Sequence, residues 1–383
     1  MSAPELVLSG NIWHEDGFRP GRVTVREGRI SGVSYGDSAG PVDFDFGAAY
    51  ITPGLIDMQL NGGFGLDFTV QPETVDTVAA ALPRWGVTAF LPTFITAPIE
   101  TYHHALGFLR DRQPGQPGAL VLGAHVEGPY LNEAYRGAHD PQYIREPSLP
   151  ELHHLLAYGT LKFLTLAPEE PGSLELIHSA TENKVLVATG HSGATYEQGQ
   201  AAFEAGAVCA THLFNAMPPL HHRKPGLVGA VLDNPNTTAN LIVDGIHLHP
   251  AIVRLIYRLK GWQRVVLVTD AMAGLGMPPG RYDLAGQAVI VDEKSARLAD
   301  SDTLAGSILT LNDALKNMVE FTGCPPHEAV SMATLNPARL LGLADRKGRL
   351  ETGFDADIAV FGDGDNFEPL LTIIGGEVVF QKN

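Results

Sequence analysis

The residues of this chain that could do chemistry stand at the ends of short apolar runs. Such runs are typical of buried parallel β-strands. Several are followed at once by a side chain that can bind a metal ion or move a proton: His125 and Glu127 in GAHVEGP, His191 in VATGHS, His212 in ATHLFNAM, Asp244 and His247 in VDGIH, and Asp270 in LVTDA. One histidine in such a place is more often structural than catalytic. A glutamate, two histidines and an aspartate on four separate strand ends predict an active site.

Two histidines and one carboxylate are a frequent ligand set for a catalytic divalent metal. We therefore predict that Glu127, His191 and His212 bind one metal ion per subunit. That ion would lower the pKa of a bound water from about 15.7 to about 7. Zn is the expected metal, and Fe, Co, Ni or Mn stay open because imidazole binds several of these ions.

Two further residues have predicted roles in catalysis. Asp270, at the end of the eighth run, would accept the proton of the attacking water and pass it to the leaving amine. The developing oxyanion needs a positive or hydrogen-bonding partner, which the metal and His247 would supply. These roles together predict a metal-dependent hydrolase.

The middle of the chain alternates apolar runs with amphipathic segments, which predicts a parallel sheet. A count of eight favours closure into a (β/α)8 barrel, whose catalytic groups gather at the C-terminal strand ends. An open dinucleotide-binding sheet is the weaker alternative, because no GxGxxG follows the first run. The predicted strands are 51–61, 87–94, 119–127, 161–167, 184–190, 207–214, 239–245 and 265–270.

Both ends of the chain predict β structure. Residues 1–50 and 348–383 contain short, β-branched runs punctuated by glycine. Each end is too small for a core of its own, so we expect them to form one small β-sandwich domain together. The catalytic barrel would then span residues 51–347, with a hairpin insertion near 276–304.

Composition excludes some classes of function. The 383 residues carry a formal net charge of −17, which disfavours nucleic-acid binding. The sequence contains no run of 18 apolar residues, so no membrane-spanning helix is predicted. The first residues lack the pattern of a signal peptide, and a cytoplasmic location is therefore expected. The two cysteines, Cys209 and Cys324, stand apart in sequence and predict no thiolate metal site.

The motifs together resemble the amidohydrolase superfamily, and within it the deacetylases that act on N-acetylglucosamine 6-phosphate. The resemblance extends over nearly the whole chain and implies hydrolysis of the N-acetyl group to acetate and glucosamine 6-phosphate. It also implies the same ligand set and the same acid/base residue. The segments that carry it include PGLIDMQLNG at 53–62, HVEGPYLN at 125–132, TGHSGAT at 189–195, THLFNAMPPL at 211–220, DGIHLHP at 244–250, VTDAMA at 268–273 and LAGS at 304–307.

The resemblance further implies a set of substrate contacts and a homodimer. Arg223, in RKPG, would reach the phosphate bound in the neighbouring subunit, a role that suits the planar, two-pronged guanidinium. Leu304, Ala305 and Gly306 would line the acetyl end of the substrate. The other implied contacts are Ala138, His139, Asn215, Ala216 and His247.

Two departures from the wider superfamily bear on the number of metal ions. Many members carry HxH at the end of the first strand, where this chain has Gln59-Leu60-Asn61. Amides are poor ligands compared with imidazole. The carbamylated lysine of the fourth strand is also absent, because Lys162 stands at the start of that strand. We therefore expect one metal ion in each active site.

Two other functions stay open at this point. The chain could be an amidohydrolase that acts on an N-acyl amino acid or a cyclic amide, although a clamp such as Arg223 favours a phosphorylated substrate. It could also be a metal-free assembly protein. That second alternative is disfavoured because relatives of this kind usually lose metal ligands, whereas Glu127, His191, His212 and Asp270 are all in place.

Overall fold

The computed structural model describes residues 5–36, 40–113, 117–364 and 366–382. All eight predicted runs form strands of one parallel sheet, and the strands follow one another in chain order across it. The barrel predicted from the eight-fold alternation is confirmed. Its strands are Leu55–Leu60, Val87–Ile95, Ala124–Glu127, Leu161–Leu166, Leu186–Thr189, Cys209–Ala210, Thr238–Leu241 and Val265–Leu267, with a short segment Leu120–Val121 beside the second.

The eighth strand closes the barrel against the first. The backbone N–H of Asn61 donates to the carbonyl of Ala271 at 2.8 Å, and that of Asp270 donates to the carbonyl of Gln59 at 2.9 Å. This closure brings Gln59 and Asn61 beside Asp270. Every residue of the strand Val87–Ile95 is buried, as expected for a sheet covered on both faces.

A helix follows each barrel strand and packs on the outside of the sheet. The turn from the fifth strand into its helix is fixed by a capping box between Thr195 and Gln198. The last two helices, Pro326–Ala333 and Leu335–Leu340, are separated by Thr334, whose backbone leaves helical geometry. The α-helices are Val75–Ala81, Ile99–Asp111, Leu149–Leu156, Ser173–Glu182, Tyr196–Glu204, Gly226–Asp233, Pro250–Lys260, Leu311–Thr322, Pro326–Ala333 and Leu335–Leu340, and the 3-10 turns are Pro72–Thr74, Leu82–Trp85, Glu133–Tyr135, Pro141–Tyr143 and Trp262–Arg264.

The two chain ends meet in one continuous sheet of seven strands. The central contact pairs Phe44–Pro53 with Ile358–Phe361, so the N-terminal and C-terminal halves share backbone hydrogen bonds. The division at residue 50 stays a prediction, since Phe44–Pro53 crosses it, and residues 1–4, 37–39, 365 and 383 of the predicted domain lie outside the described residues. In sheet order the strands are Glu377–Gln381, Pro369–Ile374, Ile358–Phe361, Phe44–Pro53, Glu5–His14, Gly17–Arg26 and Arg29–Tyr35.

A small antiparallel sheet stands between the eighth barrel strand and its helix. It contains the predicted hairpin and a third strand, as Gly280–Leu284, Gln287–Val291 and Ala296–Leu298. A two-stranded turn at Gly62–Gly63 and Leu66–Asp67 supports it, because the Asp67 carboxylate accepts the backbone N–H of Ala285 at 3.0 Å. None of the helices in the described ranges is long and apolar enough to cross a membrane.

Candidate active site and metal centre

Three side chains from three barrel strands converge at the C-terminal end of the barrel. The Nε2 atoms of His191 and His212 lie 3.2 and 3.1 Å from Oε1 of Glu127, and 3.0 Å from one another. All three side chains are buried. Since each follows a different strand, only closure of the barrel brings them together.

The two histidine rings are held in orientations that direct Nε2 into this cluster. Nδ1 of His191 lies 3.1 Å from the backbone carbonyl of Tyr135. A carbonyl only accepts, so Nδ1 carries a proton and the neutral ring has its lone pair on Nε2. Nδ1 of His212 is buried with no hydrogen-bond partner among the described residues. For His191, the tautomer is therefore the one that a metal ion requires.

The electrostatics of the cluster favour a bound positive charge. Burial alone would raise the pKa of Glu127, but hydrogen bonds with His191 and His212 hold that pKa well below its usual range. Burial would likewise lower the pKa of His212, yet the Glu127 carboxylate raises it. An ionised carboxylate that draws a proton onto a neighbouring imidazole would draw a cation to the same place.

Asp270 lies beside the cluster and is held by two amides. Its Oδ1 accepts hydrogen bonds from Nδ2 of Asn61 at 2.8 Å and from Nε2 of Gln59 at 3.0 Å. The same Nε2 of Gln59 also lies 3.1 Å from Oε1 of Glu127. Gln59 thus connects Asp270 to Glu127, and the two amides leave Oδ2 of Asp270 as the oxygen available for a proton.

The backbone at these positions is strained. His191, His212 and Asp270 have positive φ angles of 48°, 29° and 50°. Residues other than glycine rarely adopt this left-handed region, and such strain is concentrated at functional sites. The turn that follows each strand therefore tips its functional side chain over the mouth of the barrel.

Comparison with known proteins places this architecture in a family. The Amidohydrolase family matches residues 50–379. The chain belongs to the amidohydrolase family. It is 40% identical over 379 residues to an N-acetylglucosamine-6-phosphate deacetylase of Danio rerio, covering 94% of this chain and 92% of that protein. It is 43% identical over 321 residues to an N-acetylgalactosamine-6-phosphate deacetylase of Escherichia coli O157:H7, covering 83% and 85%.

A solved structure shows the same similarity in three dimensions. An aspartate-to-alanine mutant of the N-acetyl-D-glucosamine-6-phosphate deacetylase of Mycobacterium smegmatis, in complex with N-acetyl-D-glucosamine 6-phosphate, superimposes with a TM-score of 0.92. Its sequence is 34% identical, and the superposition covers 98% of this chain and 99% of that one. The amidohydrolase barrel and the small terminal sheet are therefore shared.

The Glu127, His191 and His212 cluster of this amidohydrolase fits a divalent metal ion. Metal–ligand bonds of about 2.0–2.1 Å at tetrahedral angles place ligand atoms roughly 3.3–3.4 Å apart. The three atoms here lie 3.0 to 3.2 Å apart, so only a small expansion is needed. Soft thiolates are absent from this set, which suits Zn, Fe, Co, Ni or Mn alike.

His139 offers an alternative third ligand, because Glu127, His139 and His191 each bring one ligand atom within 4.8 Å of the others. The backbone N–H of Thr96, however, donates to Nδ1 of His139 at 3.3 Å, and the Thr96 hydroxyl, which can also donate, lies 2.7 Å from the same nitrogen. A neutral ring then carries its proton on Nε2, and burial holds the pKa of His139 well below its usual range. This geometry favours His212 as the ligand and His139 as a hydrogen-bond donor.

A cavity of about 410 Å³ adjoins the cluster and contains most of the residues that the family resemblance implied. Ala305 is instead fully buried, and Arg223 lies on an exposed loop, where its Nη1 is 2.7 Å from Nε2 of His222. Neither is among the described residues that line the cavity. Those that do line it are Ala138, His139, Asn215, Ala216, His247, Leu304 and Gly306, together with Glu127, His191, His212 and Asp270.

Two residues from the sequence pattern have positions that clarify their roles. His125 is fully buried between the hydroxyls of Thr93 and Thr165, and burial lowers its pKa to about 4. It is therefore a structural residue beneath the site. His247 is oriented by Asp244, whose Oδ2 lies 2.6 Å from its Nδ1, so that Nε2 is left for the cavity.

Sequence reasoning missed the amide bridge and part of the cavity wall. The position of Gln59 and Asn61 at the HxH site was the available signal, but it indicated only a lost metal site and not two donors to Asp270. Arg297, Asp302 and Thr303, from the insertion and the segment after it, also line the cavity. No sequence motif in this segment could predict that these residues lie above the mouth of the barrel.

The pKa of Asp270 predicts how activity depends on pH. Burial, followed by the charge of Glu127, raises this pKa to about 6. As the predicted general base, Asp270 must be ionised to accept a proton, so kcat should fall about tenfold for each pH unit below its pKa. Because a bound cation would lower this raised pKa, we expect the acid limb at or below about pH 6. Initial rates measured across this range, with metal content verified at each pH, test this expectation. A limb well above pH 6 would contradict it.

Proposed function

We propose that the protein hydrolyses the N-acetyl group of N-acetylglucosamine 6-phosphate to give glucosamine 6-phosphate and acetate. The observation that carries the proposal is the buried Glu127, His191 and His212 cluster with Asp270 beside it, in one cavity at the mouth of the barrel. Relatives over 94% of the chain that carry the same activity in their names support it.

In the proposed mechanism, Glu127, His191 and His212 hold one divalent ion, most simply Zn²⁺. Once bound, that ion would polarise the amide carbonyl and activate a water molecule. Asp270 accepts the proton of the attacking water as the new C–O bond forms. It then returns that proton to the nitrogen as the C–N bond breaks. The products are acetic acid and a neutral amine, and transfer of the acid's proton to the amine or to solvent then leaves acetate.

The surrounding residues orient the substrate. His247 can donate from Nε2 to the developing oxyanion when its ring is protonated, and the Asp244 carboxylate balances that charge. Burial would raise the pKa of Asp244, but the hydrogen bond from His247 keeps it below its usual value. Asp244 is thus ionised when it supports the ring. Nε2–H of His139 provides a second donor within the cavity.

The experiment that tests the proposal measures acetate release from N-acetylglucosamine 6-phosphate and from the unphosphorylated sugar. Each assay is run with metal-stripped and with Zn²⁺-restored protein. We expect fast release from the phosphorylated sugar with metal only. No release from either sugar by folded, metal-loaded protein would overturn the substrate and leave N-acyl amino acids or cyclic amides as the next class.

A second candidate substrate is the C4 epimer, N-acetylgalactosamine 6-phosphate. The relative from Escherichia coli O157:H7 is named for this activity and is 43% identical over 83% of the chain. Both epimers would place the same acetamide at the metal and the same phosphate at the rim. The ratio of kcat/KM for the two epimers in the same assay decides which one the cavity prefers.

Arg223 is proposed to bind the phosphate, and this gives a direct prediction. Arg223→Ala should raise KM for the phosphorylated sugar by about 10- to 100-fold, as expected for the loss of charge-assisted hydrogen bonds. The KM for the unphosphorylated sugar should change little. Lys224→Ala is the matched control, since it removes a neighbouring charge. Equal effects of Arg223→Ala on both sugars would contradict the phosphate role.

We further propose a homodimer in which Arg223 serves the neighbouring subunit, consistent with its exposed place outside the cavity of its own chain. Equal mixing of Asp270→Asn and Arg223→Ala subunits would then rebuild one intact site in each mixed dimer, giving about a quarter of wild-type activity. Arg223 acting within its own subunit would give no such recovery. The cytoplasmic location stays a prediction of the sequence.

A further inference from the structure

The fifth barrel strand ends in a strained turn that must be held in place. His191 has a φ of 48°, and the three residues after it lead directly to the capping box of the next helix. A histidine keeps a left-handed backbone conformation only when contacts with its surroundings stabilise that conformation. The direction of its Nε2 therefore depends on whatever fixes residues 192 and 193.

One carboxylate makes those contacts. Glu169, in the loop after the fourth barrel strand, accepts a hydrogen bond from Oγ of Ser192 at 2.7 Å and from the backbone N–H of Gly193 at 2.5 Å. It also accepts one from Nδ2 of Asn132 at 3.0 Å. Three donors from two other loops thus meet on a partly buried side chain that takes no part in the proposed chemistry.

The same loops reach His191 from its other side. The backbone N–H of Asn132 donates to the carbonyl of His191 at 3.0 Å, and the carbonyl of Tyr135 accepts the ring N–H. Gly193 packs so closely that a Cβ there would lie 2.6 Å from the Tyr135 ring. A shift of the 192–193 segment would therefore move Tyr135, the residue that sets the His191 tautomer.

We propose that Glu169 is a positioning residue for the metal ligand His191. Its carboxylate connects the loops after the third, fourth and fifth barrel strands and holds His191 Nε2 toward Glu127 and His212. The inference rests on the metal centre of the proposed function. It is independent of the substrate, because its test needs only the metal.

The test measures the Zn²⁺ affinity of the full-length protein by competition with a chelator, without substrate. Glu169→Ala should weaken Zn²⁺ binding by about 10- to 100-fold, the effect typical of partners that orient a ligand. Glu169→Gln should stay within a few-fold of wild type. Its carbonyl can accept from Gly193 and Asn132, while its NH2 group can donate to the Ser192 hydroxyl.

Two comparisons separate positioning from a general loss of structure. Glu170→Ala removes the adjacent carboxylate, which makes no side-chain hydrogen bond to the described parts of these loops, and should keep wild-type affinity. Glu169→Ala combined with Ser192→Ala should lose less affinity than the sum of the two single effects, because both remove the hydrogen bond between Ser192 and Glu169. A circular dichroism spectrum and melting curve of each metal-free variant verify the fold.

Wild-type Zn²⁺ affinity in folded Glu169→Ala would overturn the proposal, as would an equal loss in Glu170→Ala. If Glu169→Ala fails to fold, Ser192→Ala decides, since it removes one hydrogen bond to the carboxylate together with the bond that the same hydroxyl accepts from the backbone N–H of Ala194. Its affinity should then fall by several-fold, and an unchanged value would overturn the proposal. Failure of acetate release with normal metal binding would affect only the proposed substrate.

Discussion

Replacement of Asp270 by Asn is expected to lower kcat by about 10²- to 10⁴-fold while one metal ion per chain stays bound. The side chain keeps its shape, and its amide oxygen can still accept the hydrogen bonds that Asn61 and Gln59 now donate to Oδ1. What is lost is an oxygen that can take up a proton and release it. The measurement is kcat for acetate release, with metal counted by elemental analysis.

Asp302→Asn is the matched control, because Asp302 is a second carboxylate on the cavity wall. It is exposed and pairs with Arg297 at 3.0 Å, so its charge is screened by water. We expect its kcat to stay near the wild-type value. Normal turnover by Asp270→Asn would remove Asp270 as the proton-transfer group. Loss of metal from the same variant would instead give it a role in the metal centre.

The barrel was predictable because it depends on periodicity. Eight apolar runs, several of them followed by a polar group, already imply parallel strands whose functional residues share one rim. Glu127, His191, His212 and Asp270 could therefore be selected without coordinates. Their convergence within 3.0 to 3.2 Å, for the three proposed ligands, is a consequence of closure and needs no further signal in the sequence.

The supporting contacts were not predictable in the same way. Glu169 and Gln59 bond to residues 23 to 211 positions away in the chain, with hydrogen bonds that leave no periodic pattern. The left-handed backbone at His191 was also not predictable from the sequence. Glycine is the residue that would indicate such a conformation, and this position is a histidine. Arg223 shows a third limit, because its proposed role lies in a neighbouring subunit and contacts within the described part of its own chain could not indicate it.

Replacement of His212 by Ala should abolish stoichiometric metal binding and, with it, activity. His212 supplies one of three proposed ligand atoms, and Glu127 and His191 alone leave a two-ligand site. We expect a loss of Zn²⁺ affinity greater than the roughly 100-fold upper value for partners that merely orient a ligand. Chelator competition measures the affinity. A second readout is thermal unfolding, because a ligand stabilises only a protein that binds it.

The choice between His212 and His139 follows from the same experiment. His178→Ala, on an exposed helix face, is the control and should keep its metal. His139→Ala should also keep its metal but raise KM, because the proton on Nε2 makes this ring a donor to substrate. If His212→Ala retains one ion per chain and His139→Ala loses it, the ligand set is Glu127, His139 and His191. The tautomer assigned from the Thr96 hydrogen bond would then be wrong.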